Sequence, residues 1–175
     1  MLMLDLCSGL GGAFAAMRDR GWSVVTVDID PQFEPDIVAD VRDWMWDGRC
    51  PDLIWASPPC VEFSREFMPW SKTGKRPDMS IVLACKRIID EVSPRFWVIE
   101  NVKGAVYWFK PILGRPRTII GPFYLWGFFP DPGRIKLRYR HKESRSSQAR
   151  AERAKIPYVI SYNLAVAIES QCVLV

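Results

Sequence analysis

The run Pro77–Val102, PDMSIVLACKRIIDEVSPRFWVIENV, decides the fold. Its first part carries apolar residues at Ile81, Cys85, Ile88 and Val92, with Val82 and Ile89 beside them, which is the spacing of an amphipathic helix. Pro77 opens the pattern in its first turn and Pro94 closes it. Its second part, RFWVIENV (95–102), is an apolar run of strand length, and a similar run, DLIWAS (52–57), stands upstream. Strand, helix, strand in this rhythm requires a parallel sheet with right-handed crossovers.

The same rhythm extends outward. LMLDL (2–6), SVVTVDI (23–29) and DIVAD (36–40) read as three earlier strands, each bounded by Gly, Pro, Asp or Ser. The expected class is α/β, a mostly parallel sheet with flanking helices, in a single domain over residues 1–175. Beyond Lys103, GPFYLWGFFP (121–130) is expected to give one strand of a hairpin, and IKLRYR (135–140) alternates as a half-exposed strand does. The segment 141–155 is expected to be a loop or short exposed helix. NLAVAIESQ (163–171) reads as a final helix with Asn163 near its N-cap.

Composition narrows the function classes. The 175 residues are 49% hydrophobic and 25% charged, which is globular usage. No apolar run approaches the roughly 18 residues of a spanning helix. The start, MLMLDLCSGLGG, lacks a basic leader, so a cytoplasmic location and no membrane contact are expected. Five cysteines without a CxxC pair fit a reducing compartment. A single histidine, His141, excludes a His-rich metal site, and no metal is expected. The net charge of +4 is uneven: Arg134–Lys155 holds nine basic and two acidic residues, leaving 15 basic and 18 acidic elsewhere. That segment is either a solvated loop or a polyanion contact.

Two groups of residues carry chemistry. DLCSGLGGAF (5–14) sets Gly9, Gly11 and Gly12 at the junction of the first strand and first helix, where a ligand approaches the backbone in a doubly wound sheet. Asp28 and Asp40 end the second and third strands and suit ribose hydroxyls and an adenine amine, so an adenosyl cofactor is expected. The poor match to GxGxxG weakens a nicotinamide reading. At the reacting end, Cys60 follows Pro58 and Pro59, which stiffen its turn. Glu100 ends the next strand, so adjacent parallel strands would bring thiol and carboxyl to one crevice.

DLCSGLGG (5–12), SPPCVEFS (57–64), ENV (100–102) and KLRYR (136–140), in this order, resemble the successive motifs of the cytosine carbon-5 DNA methyltransferase family. YVISYNLAVA (158–167) resembles its degenerate last motif. The resemblance implies a Rossmann-like S-adenosylmethionine-dependent fold and DNA methylation at carbon 5 of cytosine through a covalent Cys60 adduct. Glu100, Arg138 and Arg140 would assist. For the cofactor it implies Cys7, Gly9, Leu10, Gly12, Asp28, Ile29, Asp40, Val41 and Pro59, with Asn163, Leu164 and Ala165. For DNA it implies Val61, Ser64, Arg65, Arg134, Lys136, Lys142 and Arg145.

Several positions depart from the family pattern. Val61 stands where a glutamine is usual, Lys136 where the arginine motif opens with Gln, and Tyr162 where a glycine precedes Asn163. Only the basic segment 134–155 is available in place of a target-recognition region. A phage or prophage enzyme with short or relaxed specificity, acting in the host cytoplasm, or relying on a separate specificity protein, is the expectation. A role in restriction-modification fits. Methylation of RNA or a free cytosine nucleotide, and a catalytically silent DNA-binding accessory protein, remain as alternatives. A zinc deaminase lacks its His and PCxxC ligands here.

Overall fold

In the computed structural model, residues 1–67, 74–137 and 155–172 are described. Seven strands, β1 (Leu2–Leu6), β2 (Ser23–Asp28), β3 (Ile37–Val38), β4 (Leu53–Ala56), β5 (Phe96–Asn101), β6 (Thr118–Ile120) and β7 (Phe123–Phe128), form one sheet in the order β3-β2-β1-β4-β5-β7-β6. The first five of that order are parallel; β7 runs antiparallel to β5, and β6 to β7. The chain builds leftward from β1 to β3, then returns to place β4 on the other side of β1. This reversal opens a crevice at the carboxyl ends of the strands.

Among the described residues five α-helices cover the sheet: α1 (Ala15–Asp19), α2 (Val61–Phe67), α3 (Ser80–Val92), α4 (Val106–Leu113) and α5 (Tyr158–Cys172). Side chains alternate across the strands, so two cores form. Met3, Trp55 and Val98 face one way, onto Met17 of α1 and Ile160, Leu164 and Ile168 of α5. Leu4, Ile54 and Ile99 face the other, onto Phe63 of α2, Ile88 of α3 and Phe109 of α4. Strands buried on both faces read as continuous apolar runs, which is why β1 and β4 were legible.

The element expectations hold for β1 to β5, for β7 and for α3, with differences at three places. Helix α3 starts at Ser80, three residues past Pro77, because the Asp78 carboxylate accepts from the Ser80 N–H (2.8 Å) and hydroxyl (2.9 Å). Its last turn closes at Ser93, whose left-handed φ of 50° lets its N–H reach the Ile89 carbonyl (2.9 Å).

Helix α5 begins at Tyr158 rather than at Asn163, which therefore lies inside the helix and caps nothing. The core spacing Ile160, Leu164, Ile168 continues upstream of Asn163, and the Ile160 N–H already donates to the Pro157 carbonyl (2.9 Å).

The hairpin partner of β7 is β6, not IKLRYR. With β5 on one edge of β7 and β6 on the other, no edge is left for it. Ile135–Leu137 form no strand, and Ile135 and Leu137 pack against the core on the α5 side. Arg138–Arg140, and most of the expected basic loop, lie outside the described residues.

Candidate active site and cofactor cavity

The turn after β1 is built on the left-handed region: Cys7, Gly9 and Gly11 have φ of 57°, 48° and 74°. Gly9 can do this without strain, and its N–H then points at the end of β2. There the Asp28 carboxylate accepts from the Gly9 N–H through Oδ2 (2.9 Å) and from the Asp30 N–H through Oδ1 (2.9 Å). Gly12 serves by close approach. A Cβ there would lie 2.4 Å from the Ile156 carbonyl oxygen and 2.5 Å from its nitrogen, so only glycine lets the segment before α5 close over the turn.

These contacts enclose a cavity of about 340 Å³ at the carboxyl ends of β1, β2 and β4. Of the twelve cofactor residues expected from sequence, Cys7, Gly9, Leu10, Gly12, Asp28, Ile29, Asp40, Val41 and Pro59 line it. Asn163, Leu164 and Ala165 do not. Leu164 and Ala165 are fully buried core residues of α5, and the wall is supplied instead by Lys155 and Ile156 just before that helix. Ser57, Phe33, Arg42 and Ile81 also line the cavity and were not singled out in the sequence.

The cavity's charges are arranged locally. Arg42 donates to both oxygens of Asp40, including Nε–Oδ1 at 2.9 Å, and holds that carboxyl down at about 2. At the turn after β1, a hydrogen bond with the Cys85 thiol, and then burial, push the Cys7 thiol well up. Cys7 thus stays a neutral wall residue.

The second cluster lies at the ends of β4 and β5. Ala56 pairs with Ile99, so the register sets Ser57 beside Glu100 and carries the chain through Pro58 and Pro59 to Cys60. Asn101, fully buried, donates from Nδ2 to the Pro58 carbonyl (2.9 Å) and accepts the Val102 N–H (2.9 Å). That bond ties the proline turn to β5. Ser57 Oγ accepts the Trp55 indole N–H (2.8 Å) and hydrogen-bonds the Glu100 carboxyl.

Burial pushes Glu100 up to about 8, with the Ser57 bond pulling the other way. Burial first, and the Glu100 charge second, push the Cys60 thiol up; a hydrogen bond with Ser64 opposes them. The Ser64 N–H and hydroxyl both reach the Cys60 carbonyl at 2.9 Å and start α2 there. Thiol and carboxyl thus share one buried corner beside the cavity that Ser57 and Pro59 line.

A family model described as C-5 cytosine-specific DNA methylase matches residues 1–108, a span that takes in the Cys60–Glu100 corner and the cavity lining apart from Lys155 and Ile156. The chain belongs to that family. It is 41% identical over 117 residues to a probable DNA (cytosine-5)-methyltransferase of Frog virus 3, covering 58% of the chain and 53% of the relative. It is 29% identical over 133 residues to the type II methyltransferase M.AquIA of Picosynechococcus, covering 62% and 51%. The chain therefore spans about half the length of the curated relatives it matches. The Entamoeba histolytica methyltransferase EhMeth shares the fold, with a TM-score of 0.54 at 17% identity over 82% of this chain and 57% of that one.

The residues expected from sequence to meet DNA or the target base fall in three groups. Val61 (58% exposed) heads α2, with Ser64 and Arg65 half-buried one turn on. Arg134 and Lys136 are exposed in the strandless stretch after β7. Arg138, Arg140, Lys142 and Arg145 lie outside the described residues. Asn101 could have been found from its place in ENV, next to Glu100. Lys155 and Ile156 carry no local signal, because a tertiary approach to Gly12 makes them a wall.

Proposed function

We propose that the protein methylates carbon 5 of cytosine in DNA, using S-adenosylmethionine and a covalent adduct on Cys60. The observation that carries this is the placement of the Cys60 thiol within electrostatic reach of a carboxyl held up to about 8, beside a cavity lined by the Asp28 and Asp40 carboxylates. The cavity fits the cofactor: its size lies within the usual ligand range of roughly 300–1,000 Å³, and the backbone approach at Gly9 and Gly12 leaves room for a ligand. Asp28 would take the ribose hydroxyls with its remaining lone pairs, and Asp40 the adenine edge. Leu10, Ile29, Val41 and Pro59 would pack against the cofactor. Lys155 and Ile156, rather than Asn163–Ala165, would close it. When bound, S-adenosylmethionine supplies an electrophilic methyl group.

The chain's own residues do the rest. Carbon 5 of cytosine is a poor nucleophile, so the Cys60 sulfur adds to carbon 6 and converts the ring to an enamine. Burial favours the neutral thiol, which passes its proton to solvent water as sulfur adds. Glu100, neutral near pH 7, donates its proton toward ring nitrogen 3 and accepts from the exocyclic amine, stabilising charge as addition proceeds. Once carbon 5 carries the methyl group, a base, such as solvent hydroxide or water, takes the carbon-5 proton, and elimination restores the ring double bond and frees Cys60. Arg138 and Arg140 are assigned to the base and its phosphates. In duplex DNA the target is first flipped from the stack.

Val61 offers an orphaned guanine no hydrogen bond, and phosphate contacts alone carry no sequence information. Short or relaxed specificity, or a separate specificity protein, follows. The test is adduct formation with 5-fluorocytosine DNA followed by denaturing electrophoresis. A shifted band in the wild type, absent in Cys60→Ala, is expected. Methyl transfer only to RNA or to dCMP sinks the DNA assignment.

A further inference from the structure

Between Asn101 and Pro130 the chain has four basic residues, Lys103, Lys110, Arg115 and Arg117, and no Asp or Glu. Residues 1–100 are the opposite, with 11 basic against 16 acidic. There several of the cations are held in pairs, Arg18 with Asp36, Lys86 with Asp90 and Arg87 with Glu91. The acid-free stretch is thus a second cationic unit, separate from the basic segment 134–155.

Helix α4 orders part of it into a face. Ala105 and Phe109, four apart, are fully buried, and the Phe109 ring meets Phe63 edge-on at 5.2 Å and Trp126 at 4.9 Å. On the other side Lys103, Tyr107 and Lys110 are exposed at spacings of four and three. Arg115 is exposed just beyond the helix. Tyr107 is 77% exposed, more than any other large apolar side chain among the described residues. Its ring is braced at right angles against Trp108, with centroids 5.1 Å apart. An exposed, braced aromatic between two lysines contributes little to the core. It suits a partner with both phosphates and π-faces.

The face also borders the reacting corner. The turn Lys103–Ala105 begins three residues after Glu100 and packs against α2, which starts directly after Cys60. DNA delivering a base to Cys60 has this helix alongside it.

We propose that the outer face of α4 is a DNA contact: Lys110 and Arg115, with Lys103, neutralise phosphates flanking the target, and Tyr107 stacks on an unpaired neighbouring base. This rests on the methyltransferase reading only in taking DNA as the partner. Such a contact is sequence-independent and holds the substrate whatever reads its bases.

The experiment is fluorescence anisotropy of the full chain with cytosine-containing single-stranded DNA, duplex DNA and RNA across a salt series, with the 5-fluorocytosine adduct assayed in parallel. Lys110→Gln/Arg115→Gln should weaken DNA binding about 10-fold at low salt and flatten the log affinity against log salt slope by about 1.5. Tyr107→Ala should weaken single-strand binding about 10-fold and Tyr107→Phe should restore it. Unchanged slope and affinity in the double variant, no rescue by Tyr107→Phe, or losses confined to RNA overturn the proposal. The adduct assay separates the two readings. A wild type that forms adduct while the α4 variants bind normally keeps the catalytic reading and removes this surface. A wild type with α4-dependent DNA binding and no adduct does the reverse.

Discussion

A carboxyl group at the end of a buried strand loses its water, and Glu100 is pushed from the ordinary 4.5 up to about 8 for that reason. Because the folded value lies above the unfolded one, stability is full below about pH 4.5 and is lost as pH rises through about 8. Asp5 acts in the same direction. It is fully buried, neither carboxylate oxygen has a hydrogen-bond partner among the described residues, and burial, then Asp28, raise it. Urea denaturation should therefore show stability falling from about pH 5 to about pH 8, by at most about 1.4 kcal/mol per pH unit for each group. Glu100→Gln should lessen the fall, and Asp5→Asn/Glu100→Gln should nearly abolish it; an equal slope in all three proteins would refute this origin. Asn101 acts by position. Asn101→Ala leaves the Pro58 carbonyl without its buried donor and should cost about 1–3 kcal/mol. It should also slow adduct formation while S-adenosylmethionine affinity, measured by calorimetry, stays within about twofold, because the bond aims Cys60 and not the cofactor.

At the scale of elements, the parts legible in the sequence are those set by local pattern. Strands β1, β2, β4 and β5 are apolar runs with clear punctuation, and α3 has a full helical period. The rest depends on distant partners. Strand β6 is three residues long, too short for any periodicity, and exists because β7 offers it an edge. Helix α4 carries Pro111, an apparent breaker that is tolerated in its last turn. Asn163 reads as a cap from residue type alone, while the core spacing across it decides otherwise. At the site, Cys60, Glu100, Asp28 and Asp40 were legible because strand ends are local, whereas the Lys155–Ile156 wall rests on a contact 144 residues away from Gly12. That contact predicts its own test. Gly12→Ala places a Cβ 2.4 Å from backbone, so the segment before α5 must shift. Calorimetry should show S-adenosylmethionine binding weakened about 10-fold or more, with about 1–3 kcal/mol lost in stability. Unchanged affinity would remove Lys155 and Ile156 from the cofactor site.

Across the whole molecule, the cavity is walled by segments from Cys7 to Ile156, joining the turn after β1, the ends of β2 and β4, the first turn of α3 and the entry to α5. None of these walls is assembled in the unfolded chain. A ligand seated among them binds only the folded state, and mass action then stabilises that state by about 2.7 kcal/mol at a hundredfold excess over Kd. For a chain of this size that is a rise in Tm of about 5–10 °C. S-adenosylmethionine and S-adenosylhomocysteine should both produce it, since on the proposed binding mode the adenosine end of either would meet Asp28 and Asp40. In Gly12→Ala the rise should shrink at the same ligand concentration, because the wall at Ile156 no longer closes. NADH should leave Tm unchanged, as the turn at Gly9–Phe14 lacks the third glycine of a dinucleotide fingerprint. A scan in which NADH raises Tm and S-adenosylmethionine does not would assign the cavity to a different cofactor. The Cys60–Glu100 corner would then need another partner reaction.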